Sequence, residues 1–212
     1  MSTAQITEWS GQFGRDYTDR NYLLREELDE LYRKRYGKSR TELNARFLQG
    51  MPRQSRILEV GCNAGNQLEL LQLMGFENLC GVELQEYALE QARSRLSGIE
   101  LQQGTAFQIP YSSNSFDLVF TSGVLIHIAP EDLHKALAEI HRCSREYIWG
   151  SEYYAPSTTE IPYRGHERLL WKTDFAGLYL KLFDDLELVR HEYLPYLENS
   201  NVDCMFLLRK RR

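Results

Sequence analysis

The run Ile57-Leu58-Glu59-Val60-Gly61-Cys62-Asn63-Ala64-Gly65-Asn66 is an apolar stretch that breaks into a glycine turn before an amphipathic segment. A strand that runs into such a turn and then a helix places a ligand at the carboxyl end of the strand. Gly61 and Gly65 carry no side chain to obstruct a tight turn or the close approach of a ligand. A dinucleotide fingerprint beginning at Gly61 would put glycine at 63 and 66, where this chain has Asn63 and Asn66, so nicotinamide and flavin are disfavoured. Eighteen residues after Gly65 stands Glu83, at the end of a second apolar run. A carboxylate at that strand tip can accept two hydrogen bonds from ribose hydroxyls. Turn and acid, in this order and separation, point to a nucleoside-containing cofactor; an unliganded structural turn is the alternative.

To bring turn and acid onto one rim, the chain must alternate strands with helices. From Arg56 onward, short apolar runs do alternate with amphipathic stretches, as in a parallel sheet with helices on its faces. Strands are expected at about 56–60, 79–83, 99–102, 116–121, 146–150, 186–193 and 203–209, and helices at about 66–74, 86–96, 131–142 and 173–183. The segment LPYLENSN is too short for a crossover helix, so the last two strands should form an antiparallel hairpin. The expected fold class is α/β, a doubly wound, mostly parallel seven-stranded sheet with an antiparallel last strand. Ahead of it, Leu24, Leu28, Leu31 and Tyr32 give a helix from Asp19 to about Tyr36 one apolar face, ended by Gly37. A second helix from about Thr41 to Gln49 carries Leu43, Phe47 and Leu48. Residues 1–52 are therefore expected to form a helical cap or lid, and 53–212 the sheet domain. The terminal Arg209-Lys210-Arg211-Arg212 reads as a solvated tail.

Composition narrows the function classes. With 212 residues, 42% apolar and 26% charged, the chain is large enough for one domain, at most with an appendage. Its 25 Lys and Arg against 30 Asp and Glu give a net charge of −5, without the basic surplus that phosphate-backbone binding needs. Nucleic acid is not an expected partner. No 18-residue apolar stretch occurs, and the first residues lack the basic and apolar regions of a signal peptide, so membrane association is not expected and a cytoplasmic location is. Cys62, Cys80, Cys143 and Cys204 are scattered without a paired spacing, which indicates neither a metal site nor a disulfide framework.

The run EVGCNAGNQ, then GVEL, then GTAFQIPYSSNSFDLVFTSGVLIHI resembles class I S-adenosylmethionine-dependent methyltransferases in order, spacing and residue type, over about Arg56 to Gly150. Beyond it, EYYAPSTTEIPYRGHERLLWKTDFAG together with WSGQFGRDYTDRN resembles a narrower group, the methylases associated with pseudaminic acid biosynthesis, over Trp9 to Gly177. The resemblance implies a Rossmann-like fold and S-adenosylmethionine as cofactor. It also implies that Glu59 and the turn of Gly61, Cys62, Asn63, Gly65 and Asn66 lie near the methionine portion. Glu83 and Leu84 would hold the ribose and flank adenine, Thr105, Ala106 and Phe107 would line the adenine pocket, and Ser122 and Gly123 would sit beside the sulfonium. Two departures stand out: Asn63 replaces the middle glycine of the Gly-x-Gly-x-Gly turn, and Thr105 replaces the acid that often meets the adenine amino group. Asn tolerates left-handed backbone conformations, so the turn should survive.

Methyl transfer from a sulfonium is an in-line displacement, so the protein must chiefly hold the acceptor atom close and collinear. No metal is called for. A hydroxyl acceptor must lose its proton, for which a nearby base would help. His127, just after the fourth strand, is either that base or a residue that orients its loop. His166, in a polar loop of the narrower motif, is either a substrate contact or base, or part of the loop's structure. Tyr153, Tyr154 and Tyr163 offer apolar faces and hydroxyls suited to sugar rings, or else anchor the loop. Arg164 could grip a carboxylate or phosphate, or pair with an acid such as Glu167. Tyr17, Arg20 and Asn21 match the narrower group's N-terminal motif and would close over the methionine carboxylate or the acceptor, unless they only cap and pack. The expected function is methyl transfer to a hydroxyl or amine of a small polar acceptor, a sugar or sugar nucleotide of surface-glycan biosynthesis. The alternatives are another small metabolite or carboxylate, or a non-catalytic nucleoside-binding subunit. The sequence leaves the oligomeric state open.

Overall fold

The computed structural model describes residues 3–211. Four helices come first: α1 (Ala4–Ser10), α2 (Gln12–Arg20), α3 (Arg25–Tyr36) and α4 (Arg40–Phe47). Strands and helices then alternate as β1 (Arg56–Val60), α5 (Asn66–Leu73), β2 (Asn78–Glu83), α6 (Glu86–Arg95), β3 (Glu100–Gln103) and β4 (Phe116–Ser122). After a single 3₁₀ turn, Leu125–His127, come α7 (Pro130–Cys143), β5 (Ser144–Tyr153), the short strands β6 (Thr159–Glu160) and β7 (Trp171–Lys172), α8 (Phe175–Leu182), β8 (Leu186–Pro195) and β9 (Val202–Lys210).

Seven strands form one sheet in the order β3-β2-β1-β4-β5-β9-β8. The first five are parallel, and β9 runs antiparallel between β5 and β8. Ile57, Leu58 and Val60 of β1 and Leu118, Val119 and Phe120 of β4 are all buried, as befits central strands covered on both faces. Leu58, Val60 and Val119 join a core with Ile140 and Phe206 on one face; Ile57, Leu118 and Phe120 join Leu68 and Trp149 on the other. Tyr36, Leu43 and Phe47 belong to that second core, so α3 and α4 are built into the domain. The strand order reverses between β1 and β4, which leaves a crevice at their carboxyl ends.

The seven expected strands, the four later helices and the antiparallel closing hairpin are all present. The helix expected to begin at Asp19 is instead the end of one helix and the start of another. Asn21 stops α2, donating its backbone N–H and side-chain Nδ2–H back to Tyr17 O, and Glu27 accepts the Leu24 N–H to start α3. The expected loop after the fifth strand begins later than expected, because Ser151, Glu152 and Tyr153 continue β5 by pairing with Met205, Cys204 and Asp203 of β9. Strands β6 and β7 form a small ribbon where the sequence reads as loop. The basic terminus is not a free tail either: Arg209 and Lys210 lie in β9, and the Lys210 Nζ donates to the carbonyls of His141 and Ser144, both at 2.7 Å. Arg212 lies outside the described residues.

Candidate active site

Helices α1, α2 and α3 close over the carboxyl ends of β1, β2, β4 and β5 to leave a cavity of about 340 Å³. On its floor the chain turns sharply after β1. Gly61 (φ 74°) and Asn63 (φ 47°) both adopt left-handed backbone conformations, and a side chain at Gly61 would meet Val124 Cγ2 at 2.6 Å. Gly65 (φ 79°) completes the turn as N-cap of α5. Glu83 accepts the Asn63 N–H at 2.9 Å and the Gln85 N–H at 3.0 Å, which ties the two βα turns together. Burial nonetheless pushes its carboxyl above the ordinary range. Glu59, at the end of β1, is buried so completely that its pKa is raised well above normal, although Arg40 opposes the shift.

The helical roof is latched to this floor. Thr18 Oγ1 lies 2.8 Å from Asn63 Oδ1, Asn66 donates to Asn21 O at 2.7 Å, and Gln85 Nε2 donates to Trp9 O and Gly11 O. Trp9 also packs 4.4 Å from the His127 ring, with Tyr17 and Tyr163 around the same imidazole.

His127 donates from Nδ1 to Leu169 O at 2.7 Å, which leaves the Nε2 lone pair of the neutral ring as an acceptor. Burial lowers its pKa to about 4, so the ring is neutral at ordinary pH. The turn that carries it is held from behind by Glu152 of β5, which accepts the Val124 N–H at 3.3 Å and faces the N–H groups of Leu125 and Ile126. Burial raises the Glu152 carboxyl to about 7.

Of the expected cofactor residues, Glu59, Gly61, Cys62, Asn63, Asn66, Glu83, Leu84, Thr105, Ala106, Phe107, Ser122 and Gly123 line this one cavity. Gly65 does not, since it serves the turn. The Thr105 hydroxyl accepts the N–H groups of Phe107 and Gln108, at 3.2 and 3.1 Å, and so shapes its own turn. Tyr17, Asn21, Tyr153, Tyr163 and His127 also line the cavity. Arg20, Tyr154, Arg164 and His166 do not. Arg20 is exposed. Tyr154 packs on Tyr193. Arg164 (φ 51°) and Gly165 (φ 83°) are the exposed tip of a turn closed by Tyr163 and His166, whose ring lies against Phe13. Two left-handed residues in a row make the tight hairpin turn that points Arg164 outward.

Sequence reasoning missed Trp9, Thr18, Arg35 and Glu152. Ile6, Trp9, Phe13 and Tyr17 recur at helical spacing, and that signal was open to view before the structure. The chemistry of the cavity fits a polar nucleoside. Three buried polar atoms without a hydrogen-bond partner, Trp9 Nε1, Glu59 Oε2 and Gln85 Oε1, belong to residues that line it. Such atoms are costly unless a ligand or water answers them. Among the described residues no cluster of His, Cys, Asp or Glu could hold a metal ion, and no helix is long and apolar enough to cross a membrane.

Residues 58–146 match the family described as a methyltransferase domain. Among curated proteins the chain is similar to an uncharacterized protein of Haemophilus influenzae, 30% identical over 99 residues, covering 44% of this chain and 39% of that one. It is also similar to 24-methylenesterol C-methyltransferase 2 of Arabidopsis thaliana, 32% identical over 127 residues, covering 56% of this chain and 34% of that one. The matches thus span about a third to two fifths of these relatives. Among solved structures, 1,6-didemethyltoxoflavin-N1-methyltransferase of Burkholderia thailandensis, with bound 1,6-didemethyltoxoflavin and S-adenosylhomocysteine, superposes with a TM-score of 0.71 at 15% identity, over 100% of this chain and 93% of that one. The [4+2]-cyclase SpnF superposes with a TM-score of 0.66 at 14% identity, over 88% and 82% of the two chains. Residues 58–146 thus match a methyltransferase domain, and the chain as a whole has the Rossmann-like fold of the S-adenosylhomocysteine-bound methyltransferase on which it superposes.

Proposed function

We propose that the protein transfers a methyl group from S-adenosylmethionine to a hydroxyl or amine of a small polar acceptor, a sugar or sugar-nucleotide intermediate of surface-glycan biosynthesis. The observation that carries the cofactor half is the clamp between Glu83 and the Asn63 N–H at the strand-order reversal, inside a cavity that also holds the unanswered Glu59 Oε2. Bound S-adenosylmethionine supplies an electrophilic methyl group on a sulfonium. Glu83 would accept from the ribose hydroxyls, Ala106 and Phe107 would flank the adenine, and Gly61 and Ser122 would border the methionine portion. Of the expected lid over residues 1–52, helices α1 and α2 are the part that closes the site, with Trp9 and Tyr17 excluding water. His127 Nε2 takes the proton of a hydroxyl acceptor, its ring oriented by the Leu169 carbonyl and its turn by Glu152.

The glycan half rests on the resemblance of the Trp9 to Gly177 motifs, and on an acceptor cavity walled by Tyr17, Tyr153 and Tyr163. Because this fold hosts a cyclase as well as methyltransferases, activity must be tested at the site. Calorimetry with S-adenosylmethionine, S-adenosylhomocysteine and NAD should show binding of the first two alone. A homocysteine-release screen over amino sugars, nucleotide sugars and small carboxylates should then find turnover on a sugar. Absence of binding by S-adenosylhomocysteine would refute the cofactor assignment.

A further inference from the structure

Leu28, Leu31, Tyr32 and Arg35 fall at helical positions 0, 3, 4 and 7 along α3, one face of the helix, and all four line the cavity. The place where such a stripe would carry one more apolar residue is held by a guanidinium. Among the described residues Arg35 is the sole Lys or Arg lining the cavity. Its neighbours are tyrosines: the guanidinium lies 5.0 Å from the Tyr196 ring centre and 5.8 Å from that of Tyr36, with Tyr153 nearby. Tyr36 takes one side-chain hydrogen bond from it, and the planar fork of a guanidinium, five N–H donors in all, has donors left for another partner. It makes no ion pair within 4.0 Å of a carboxylate among the described residues.

The acids that share the cavity do not fill that role. Glu83 is held at the nucleoside end by two backbone N–H groups, and burial drives Glu59 toward its neutral form. Asp203 accepts from the hydroxyls of Tyr36 and Tyr196, and burial lifts it to about 6 although the Arg35 charge opposes the shift from a distance. Arg35 also stands away from the nucleoside end. Asp203 and Tyr153 lie on β9 and β5, and β9 is four strand spacings from β2, the strand of Glu83. At about 4.8 Å per spacing that separation is roughly 19 Å.

We infer that the methyl acceptor carries an anionic oxyacid group, a carboxylate or a phosphate, and that Arg35 grips it at the β5–β9 end of the cavity. This rests on the methyltransferase reading of the same cavity. A planar fork of N–H donors suits either anion, and the partner charge would answer a cation with no carboxylate in direct contact.

The test uses the whole chain saturated with S-adenosylhomocysteine, whose affinity is first measured by calorimetry. The Arg35 Nε–H resonance, assigned by its loss in Arg35→Met, is followed while inorganic phosphate, acetate or chloride is added. A saturable shift with phosphate or acetate but not chloride is expected, and whichever anion binds more tightly identifies the group. In Arg35→Met the anion affinity should fall at least tenfold while the S-adenosylhomocysteine affinity stays within twofold. Arg35→Lys, which keeps the charge without the fork, should fall between the two. No saturable shift in the wild type overturns the inference. So does a parallel loss of S-adenosylhomocysteine affinity in Arg35→Met, which would assign Arg35 to the methionine carboxylate. Failure of the wild type to bind S-adenosylhomocysteine refutes the cofactor reading instead and is seen before any anion is added.

Discussion

Glu83 at the end of β2 accepts the backbone N–H of Asn63, in the turn after β1, at 2.9 Å. The acid and the glycine turn are therefore one hydrogen-bonded unit, and a change at either is felt at both. Replacing Glu83 with alanine removes charge-assisted hydrogen bonds worth about 1.5 to 3 kcal/mol. Affinity for S-adenosylhomocysteine should drop roughly ten- to 150-fold by calorimetry. Unchanged affinity would mean that the ribose is held elsewhere.

The imidazole of His127 gives a kinetic signature. With its pKa lowered to about 4 by burial, the ring is in its neutral form from about pH 5 upward. The kcat/KM profile should show no acid limb between pH 5 and 8 on account of this residue, whereas a limb near 6.5 would point to another group. His127→Gln should lower kcat by about 10²- to 10⁴-fold on a hydroxyl acceptor, with cofactor affinity little changed.

Glu152 makes stability depend on pH. Its carboxyl is raised from 4.5 to about 7, so between these values the folded chain holds a proton that the unfolded chain has lost. Stability from this group is thus present below pH 4.5 and is lost as pH rises through 7, by on the order of 3 kcal/mol. His127 acts in the opposite sense: its depressed pKa costs stability as pH falls from 6.5 toward 4. Glu152→Gln should flatten the fall in Tm between pH 5 and 7.5 while leaving the acid side unchanged. A fall as steep as that of the wild type would show that other groups set it.

Gly150 marks where the sheet admits no side chain. It pairs with Phe206 across β5 and β9, and a Cβ there would lie 2.2 Å from the Phe206 ring. Gly150→Ala should lower stability by about 1 to 3 kcal/mol through overpacking, read as a shift of the urea midpoint.

The sheet was legible in the sequence because its central strands are buried on both faces. Such strands must be nearly continuous apolar runs, as Ile57-Leu58 and Leu118-Val119-Phe120 are, and the residues between them must be amphipathic. The turn at the strand ends was legible for a related reason: Gly61, Asn63 and Glu83 owe their positions to local turn chemistry and strand ends. What the sequence did not settle is which side chains of the variable segments face the cavity. Arg164 and Arg35 are both arginines near tyrosines in the chain, yet one sits at the tip of a left-handed turn and points outward. The other lies seven residues along the helix from Leu28, on the face that closes the cavity. Likewise Glu152 reads as one more acid at a strand end, and only the fold of β5 under Val124 turns it into the support for His127. Local periodicity writes the elements into the sequence, because it reports which face is buried. The choice of partners for a polar side chain is made by packing between elements distant in the chain, so only the tertiary structure decided it.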